Sequence, residues 1–406
     1  MDQSPQGNLR EGLRWENIED AREDIALMRT WLDQLDDISV SVREEAVAAK
    51  KNYQKLIGSR MVQLWIEWRK RLHKPYGVYE RKIPDVDAYA PSTRENARKR
   101  WNQVVEEAAT LSSSNGTGYY QKSEYRIGVI ADEFNYRMYA DAVHVVYISP
   151  DNFLEVIGKG EIDCLFVMSC WRGIGSFVDV GEKEFCHYFG KEGLELIETI
   201  VDYANSRGVL TIFQSTEDPV DFDRYAGISK QCSYVFSSDV DSIEAYKALR
   251  DDDNVFLFEY GVNPLIHNPI GFCNKSPLKR GVMFAGSYYS KKFLERHEAQ
   301  ARIFGGILAA KRPLWIVDRF YNEDGRLFPS KYRKYVLPSL PYGDLQKAHK
   351  LFDYSVNLNS VTTSPTMCAR RTYEVQALGG LMLSNYSLAV SNQFPEIPIV
   401  LEPSEV

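Results

Sequence analysis

The stretch RRTYEVQALGGLMLSNYS, residues 370–387, sets Arg370, Arg371 and Glu374 on what reads as one helical turn. Gly379 and Gly380 close the turn, and an apolar strand follows. A guanidinium at a helix start, with the free N–H groups found there, suits a phosphate oxygen, and arginine can grip it in bidentate fashion. Glu374 lies three residues after Arg371, on the same helical face, where a carboxylate can accept hydrogen bonds from paired hydroxyls. The competing reading is an exposed i,i+3 ion pair, which contributes little. In GVMFAGSYY the strand ends in Ala285-Gly286-Ser287, small enough to let backbone approach a phosphate or sugar. A tight strand-to-helix turn would need the same glycine. The stretch is no G-x-G-x-x-G fingerprint, which argues against a dinucleotide.

Two further motifs follow apolar runs that read as strands. In CWRG (170–173), Trp171 and Arg172 emerge at a strand's C-terminal end, where clefts of α/β sheets lie. Trp171 suits either a sugar ring or the packed domain edge, and Arg172 suits an anionic acceptor or a phosphate. TEDP places Glu217 and Asp218 after the next strand. A carboxylate there can act as general base on an acceptor hydroxyl, or cap the following helix. His267, in HNP, reads as a hinge residue.

Composition bounds these options. The net charge of -7 excludes a general nucleic-acid binder, and no run reaches the length of a membrane span. The acidic, polar N-terminus is no signal peptide, and the six cysteines (164, 170, 186, 232, 273 and 368) show no paired spacing. Reduced thiols in a cytoplasm are the expectation, and the sequon Asn115-Gly116-Thr117 is read as chance. The triplets Asp85/Asp87, Asp221/Asp223 and Asp239/Asp241 could hold a divalent cation but read as solvated or capping acids. The six histidines lack zinc spacing, so no metal and no cofactor are expected.

The elements that must position these residues follow from periodicity. Residues 16–73 carry apolar positions such as Ile25, Met28, Leu32 and Leu35 at helical spacing, and end with Trp65, Trp68 and the basic RKRLHK. This segment reads as a helical hairpin on the body, a self-association helix or a membrane-surface helix. A helix over 92–111 and the flexible SSSNGTG follow. From residue 125 apolar strands alternate with helices in two series, interrupted by HNPIGFCNKSPLKR (267–280). The fold expected is α/β: two facing Rossmann-like domains behind an N-terminal helical region. The division expected is 1–118 helical region and linker, 119–270 acceptor domain, and 271–406 nucleotide-sugar domain.

Taken in order, CWRG, TEDPVDFDRYAGISKQCSYVFSSD (216–239), YGVNPLIHNP (260–269), FAGSYYSKKFLERHEAQ (284–300) and RRTYEVQALGG resemble the CgeB-like glycosyltransferases. These are relatives of the group 1 glycosyltransferases of GT-B fold, and the resemblance covers roughly residues 125–400. It implies a nucleotide-sugar donor, of UDP type, held by the C-terminal half, and a saccharide, protein or lipid-linked acceptor on the N-terminal half. It implies donor contacts from Gly286, Ser287, Arg296, Thr366, Arg371, Glu374 and Gly379, with Arg371, Glu374 and Asp218 as the catalytic set. Trp171, Arg172 and Glu217 are implied on the acceptor side, and the segment 328–349 along the nucleobase. Group 1 enzymes often carry another glutamate eight residues before the Glu374 position; here Thr366 stands there, so hydroxyls and backbone N–H groups of 362–368 must meet the sugar. The fold usually adds helices beyond this chain's end, which leaves a longer polypeptide open. The rival readings are a related GT-B epimerase and a catalytically silent nucleotide-sugar-binding or assembly module.

Overall fold

A computed structural model describes residues 89, 91–114, 118, 120–170, 173–174, 191–272, 275–289, 293–321 and 326–406. The expected helical segment 16–73, the Asn115 sequon, Asp85, Asp87, Trp171 and Arg172 lie outside these residues. Two compact units partition the chain. One takes Met1–Asn102, Ala285–Lys292 and Ile316–Ser339; the other takes Gln103–Phe284, Phe293–Trp315 and Leu340–Val406.

The described chain opens with α1 (Pro91–Ala109) and continues β1 (Arg126–Ile130), α2 (Glu133–Tyr139), β2 (His144–Tyr147), α3 (Phe153–Gly158) and β3 (Cys164–Met168). Then come α4 (Lys191–Ser206), β4 (Leu210–Ser215), α5 (Phe222–Tyr225), β5 (Tyr234–Ser237), α6 (Ile243–Arg250) and β6 (Val255–Leu257). The second series is β7 (Val282–Gly286), α7 (Leu294–Ala309), β8 (Leu314–Asp318), α8 (Ser330–Arg333), β9 (Val336–Pro338) and α9 (Tyr342–Leu351). It ends with β10 (Tyr354–Asn357), α10 (Arg371–Ala377), β11 (Leu381–Ser384) and α11 (Leu388–Gln393).

The first sheet runs β2-β1-β3-β4-β5-β6 and the second β11-β10-β7-β8-β9. Every strand pair in the first sheet is parallel, as in Ile127↔Cys164 and Phe166↔Ile212. Strand order reverses between β1 and β3 in one sheet and between β7 and β10 in the other. These two switch points make both sheets Rossmann-like, as the GT-B resemblance implies, and ligands of such sheets lie beyond the strands' carboxyl ends there.

Apolar spacing accounts for the helices that cover the sheets. In α4, Ile197, Ile200, Val201 and Ala204 recur at three- and four-residue intervals and are buried against Leu165, Val167 and Phe213. Val375, Met382, Val390 and Ile397 form a second core between α10, β11 and α11. In the smaller unit, Tyr89 Oη donates to Asp318 (3.2 Å) and accepts from Phe328 N–H (3.2 Å), while Trp101 Nε1 donates to Ser339 O (3.1 Å). Among the described residues, no helix is long and apolar enough to cross a membrane.

The C-terminal tail returns over α7, where Gly306 is buried and a Cβ would stand 2.4 Å from Pro403 O. Glycine inside a helix ordinarily costs about 1 kcal/mol against alanine. Here the added methyl meets backbone, and overpacking costs roughly 1–3 kcal/mol. Gly306→Ala is therefore expected to destabilise the protein in denaturant titration, and a stabilising effect would show that the tail leaves α7 freely.

Candidate functional site

The larger unit brings the ends of both sheets together around the start of α10. Arg370 precedes α10 with helical backbone angles, so its side chain and that of Arg371 leave the helix in different directions. The Arg370 guanidinium lies over the rings of Phe134 (4.7 Å) and Tyr260 (4.9 Å) and donates to Asn135 Oδ1. Its Nη1 is buried and has no hydrogen-bond partner. Arg371 lies over Phe284 at 5.4 Å. Burial pushes the Arg371 pKa down to about 10, Arg296 adds repulsion, and Glu374 partly offsets both. Arg296, half-buried in the first turn of α7, thus lies within electrostatic reach of Arg371.

Glu374 is only 4% exposed, and its Oε1 accepts no hydrogen bond. Burial raises its pKa, and Arg370 and Arg371 oppose the shift. His267 Nε2 stands 3.8 Å from Glu374 Oε1. This contact is not an ion pair, because burial and then Arg370 push the imidazole down to about 4, leaving it neutral. Tyr342 Oη lies 3.3 Å from the same Nε2 and donates to Met138 Sδ at 3.1 Å. His349 is buried behind this cluster, with Nδ1 2.9 Å from Ser355 Oγ. Beneath α10, Asn357 Nδ2 donates to Thr372 Oγ1 and to Ser384 Oγ, both at 3.1 Å, and fixes the helix on β10 and β11.

The other residues singled out in the sequence take varied places. Thr366 is already engaged: its hydroxyl donates to Ser238 O (3.0 Å) and accepts from Val240 N–H (2.9 Å). Gly379 stands past the C-terminal end of α10 with φ +81°, and a Cβ there would meet Pro269 Cβ at 3.2 Å. Its geometry is that of a helix stop against the linker. Gly286 and Ser287 end β7 in the smaller unit, where Arg319 N–H donates to Gly286 O at 3.1 Å. The rim position expected for Asp218 is corrected. Asp218 is fully buried, accepting from Ser237 Oγ (2.7 Å) and Tyr246 Oη (3.2 Å), and burial raises its pKa. Glu217 is half-buried and within electrostatic reach of Tyr260, the ring that carries Arg370. Asp239 is not solvated either: it is buried and accepts from Ser242 (2.6 Å) and Ser364 (2.5 Å). Cys164, Cys170, Cys232 and Cys368 are free thiols. Among the described residues, no three His, Cys, Asp or Glu side chains gather as a metal site.

Sequence reasoning gave Arg370 no role of its own and took Gln346 and His349 only as part of the segment 328–349. Arg370 was visible only as the neighbour of Arg371, and the i,i+3 pairing with Glu374 drew attention to the latter. Gln346, buried beside the His267 imidazole with which it interacts, is a further polar group at this site.

No family model matches this chain, and no curated protein matches its sequence. Among solved structures it is similar to Anabaena HepE in complex with UDP and glucose, at 10% identity and TM-score 0.37 over 66% of this chain and 82% of that one. It is similar to a putative UDP-N-acetylglucosamine 2-epimerase from Listeria monocytogenes, at 10% identity and TM-score 0.37, over 64% and 79% of the two chains. An alpha-glucosyltransferase in complex with UDP and a 13-mer DNA gives 8% identity and TM-score 0.39, over 69% and 84%. Likenesses this low carry no argument about what this chain binds.

The buried imidazoles set a pH dependence. His267 and His349 have folded pKa values of about 4 and about 3, below the ordinary 6.5. Between pH 6.5 and about 4 the unfolded chain binds protons that the folded chain refuses, so stability falls as pH falls. Glu374 and Asp218, with raised pKa values, act in the opposite sense, so the histidine effect is best read by difference. His349→Gln should flatten the decline of the thermal midpoint between about pH 7 and 5. Parallel declines in both proteins would show that His349 is not held neutral.

Proposed function

We propose that this protein is a glycosyltransferase that takes a nucleotide-diphosphate sugar, of UDP type, as donor and transfers the sugar to an acceptor hydroxyl. The single observation that carries the reading is Glu374 Oε1, a buried carboxylate oxygen without a donor beside two arginines. An unsatisfied buried acceptor costs about 1–3 kcal/mol, more when charged, and a ligand bringing hydroxyls would relieve it. A ribose offers two vicinal hydroxyls, and the diphosphate attached to it offers anionic oxygens to nearby guanidinium groups. The motif order resembling the CgeB-like glycosyltransferases supports the same assignment and favours it over a silent binding module.

In this scheme Glu374 holds the ribose and Arg371 stabilises the negative charge that grows on the leaving nucleoside diphosphate. Arg370 joins them as a residue with a free donor atom in the same cluster. Among the sequence candidates Glu217 suits the acceptor side as general base, since Asp218 has both oxygens engaged inside the domain. The bond broken is that between the anomeric carbon and the diphosphate oxygen; the acceptor oxygen forms the new one and gives its proton to the base. We assign no metal to this step, because charge compensation is available from arginine.

Glu374→Gln preserves size but removes the charge, so ribose hydrogen bonds weaken by roughly 1.5–3 kcal/mol at most. UDP affinity, measured by calorimetry, is expected to fall about tenfold or somewhat more. Arg371→Ala should lower turnover more than UDP binding, because leaving-group charge is largest in the transition state. Release of UDP from UDP-sugars, with and without EDTA, checks both the activity and the metal-free scheme. Wild-type UDP affinity in Glu374→Gln would sink the site assignment, and loss of turnover in EDTA with rescue by manganese would sink the metal-free scheme.

A further inference from the structure

The turn Asn263-Pro264-Leu265-Ile266-His267 closes on itself through both backbone and side chain. His267 N–H donates to Asn263 O (2.7 Å), and Asn263 N–H donates to His267 Nδ1 (2.9 Å). A backbone N–H can only donate, so Nδ1 must accept, and a neutral imidazole then carries its proton on Nε2. That nitrogen faces Tyr342 Oη at 3.3 Å and Glu374 Oε1 at 3.8 Å. Tyr342 spends its own hydrogen on Met138 Sδ, which leaves its oxygen to accept. The Nε2–H is thus a donor of fixed tautomer that faces Tyr342 Oη, the side-chain amide of Gln346 and the Glu374 oxygen that accepts no other hydrogen bond.

The mounting of this donor is rigid. Asn263 Oδ1 accepts from Leu265 N–H (3.0 Å), and Asn263 Nδ2 donates to Ala140 O (2.9 Å) at the end of α2. On the other side, Asn268 Nδ2 donates to Pro264 O (3.1 Å) and Lys350 Nζ donates to Ile270 O (2.7 Å). A hinge residue would need none of this pinning of its ring.

We propose that His267 is a positioning residue for Glu374, its tautomer-locked Nε2–H orienting the carboxylate toward the hydroxyls of the bound ligand. The inference rests on the reading of Glu374 as the ligand's carboxylate. Polar contacts at such sites are commonly long without ligand and tighten in the complex, which fits a separation of 3.8 Å. The charged and titratable groups within reach of the imidazole are Glu374, Arg370, Lys350, His349 and Tyr342, and the side-chain amide of Gln346 hydrogen-bonds the ring. The two positive charges and the burial all oppose imidazolium, so the ring stays a neutral donor rather than a second cation beside the arginines.

Two measurements on the full chain test this separately. The first is nitrogen NMR of the ¹⁵N-histidine-labelled protein, with the His267 signals identified by their loss in His267→Gln. The expected result is a neutral ring protonated on Nε2 from about pH 8 down to about pH 5, with the Nε2 signal displaced in Glu374→Gln. A ring that titrates as a free histidine, carries its proton on Nδ1, or ignores Glu374→Gln overturns the proposal without reference to any ligand. The second is UDP affinity of His267→Ala, His267→Gln, Glu374→Gln and the His267→Ala/Glu374→Gln double variant. His267→Ala should weaken UDP binding about tenfold, His267→Gln should restore most of it through its amide N–H, and the double variant should bind as Glu374→Gln does. Fully additive losses, with no rescue by glutamine, would reduce His267 to a part of the turn. If the wild type binds no UDP while the NMR signature holds, the nucleotide reading fails and the coupling of His267 to Glu374 stands.

Discussion

A carboxylate kept out of water governs the arrangement around α10. Glu374 is 4% exposed, and burial alone would drive it toward the neutral acid. Arg370 and Arg371 oppose that shift, so the helix must begin with two guanidinium groups that diverge around the carboxylate. The geometry has a consequence for each arginine. Arg371 is itself desolvated, its pKa lowered to about 10, and lies over the ring of Phe284. Arg370 reaches the first sheet's elements and is held by two aromatic faces, each cation–π contact worth roughly 0.5–2 kcal/mol. A short helix of seven residues could not by itself keep three charges in place. The buried asparagines and hydroxyls beneath it, Asn357, Thr372 and Ser384, fix its position by hydrogen bonds.

The neutral groups matter as much as the charged ones. His267 and Tyr342 lie beside the same carboxylate, His349 lies within reach of Arg371 and His267, and burial moves each toward its uncharged form. A third and fourth cation here would compete with the arginines for one carboxylate and raise the desolvation cost. Neutral side chains instead fill the space around it without adding charge. The cluster thus sets the Glu374 carboxylate between Arg370 and Arg371 without adding further cations from its imidazoles.

Much of the fold was legible because the inner strands are continuous apolar runs, as parallel strands covered on both faces must be. RIGVI, CLFVM, VMFAG and LWIVD are runs of this kind, and each forms a strand. The apolar run VFLFEYG (255–261) reads as a single strand, but pairing in β6 stops at Leu257. The strand β9 and the helix α9 were not legible. β9 has three residues and ends on Pro338, while α9 buries Gln346, His349 and Lys350, which break the apolar pattern that marks a helix face. The site shows the same limit. Arg371 and Glu374 share one helical turn, which sequence spacing can express, whereas the partners of Arg370 lie more than a hundred residues away. Glu217 and Asp218 are chain neighbours, and spacing cannot decide which of two successive side chains turns inward. Asp218 turns in because Ser237 and Tyr246, from β5 and α6, supply its hydrogen bonds.

The loop before α10 shows why a hydroxyl at the Thr366 position need not serve a sugar. Ser364 donates to Asp239, and Thr366 bonds both Ser238 O and Val240 N–H, so three polar contacts seat this loop on the residues after β5. Gln393 Nε2 extends the seam by donating to Glu259 (2.6 Å) and to Thr366 O (2.9 Å). Each such bond contributes about 1 kcal/mol net, and an unmet buried partner would cost more than the bond gains. A glutamate at position 366 would bring a charge to a place where one neighbour is a carbonyl and the buried Asp239 carboxylate is close in sequence to both partners. Like charges so placed repel in a low-dielectric seam. Threonine offers one donor and one acceptor to a carbonyl and an N–H, a match that glutamate could not make without protonation. The hydroxyl at 366 is thus matched to the seam in which it sits, donating to one side of it and accepting from the other.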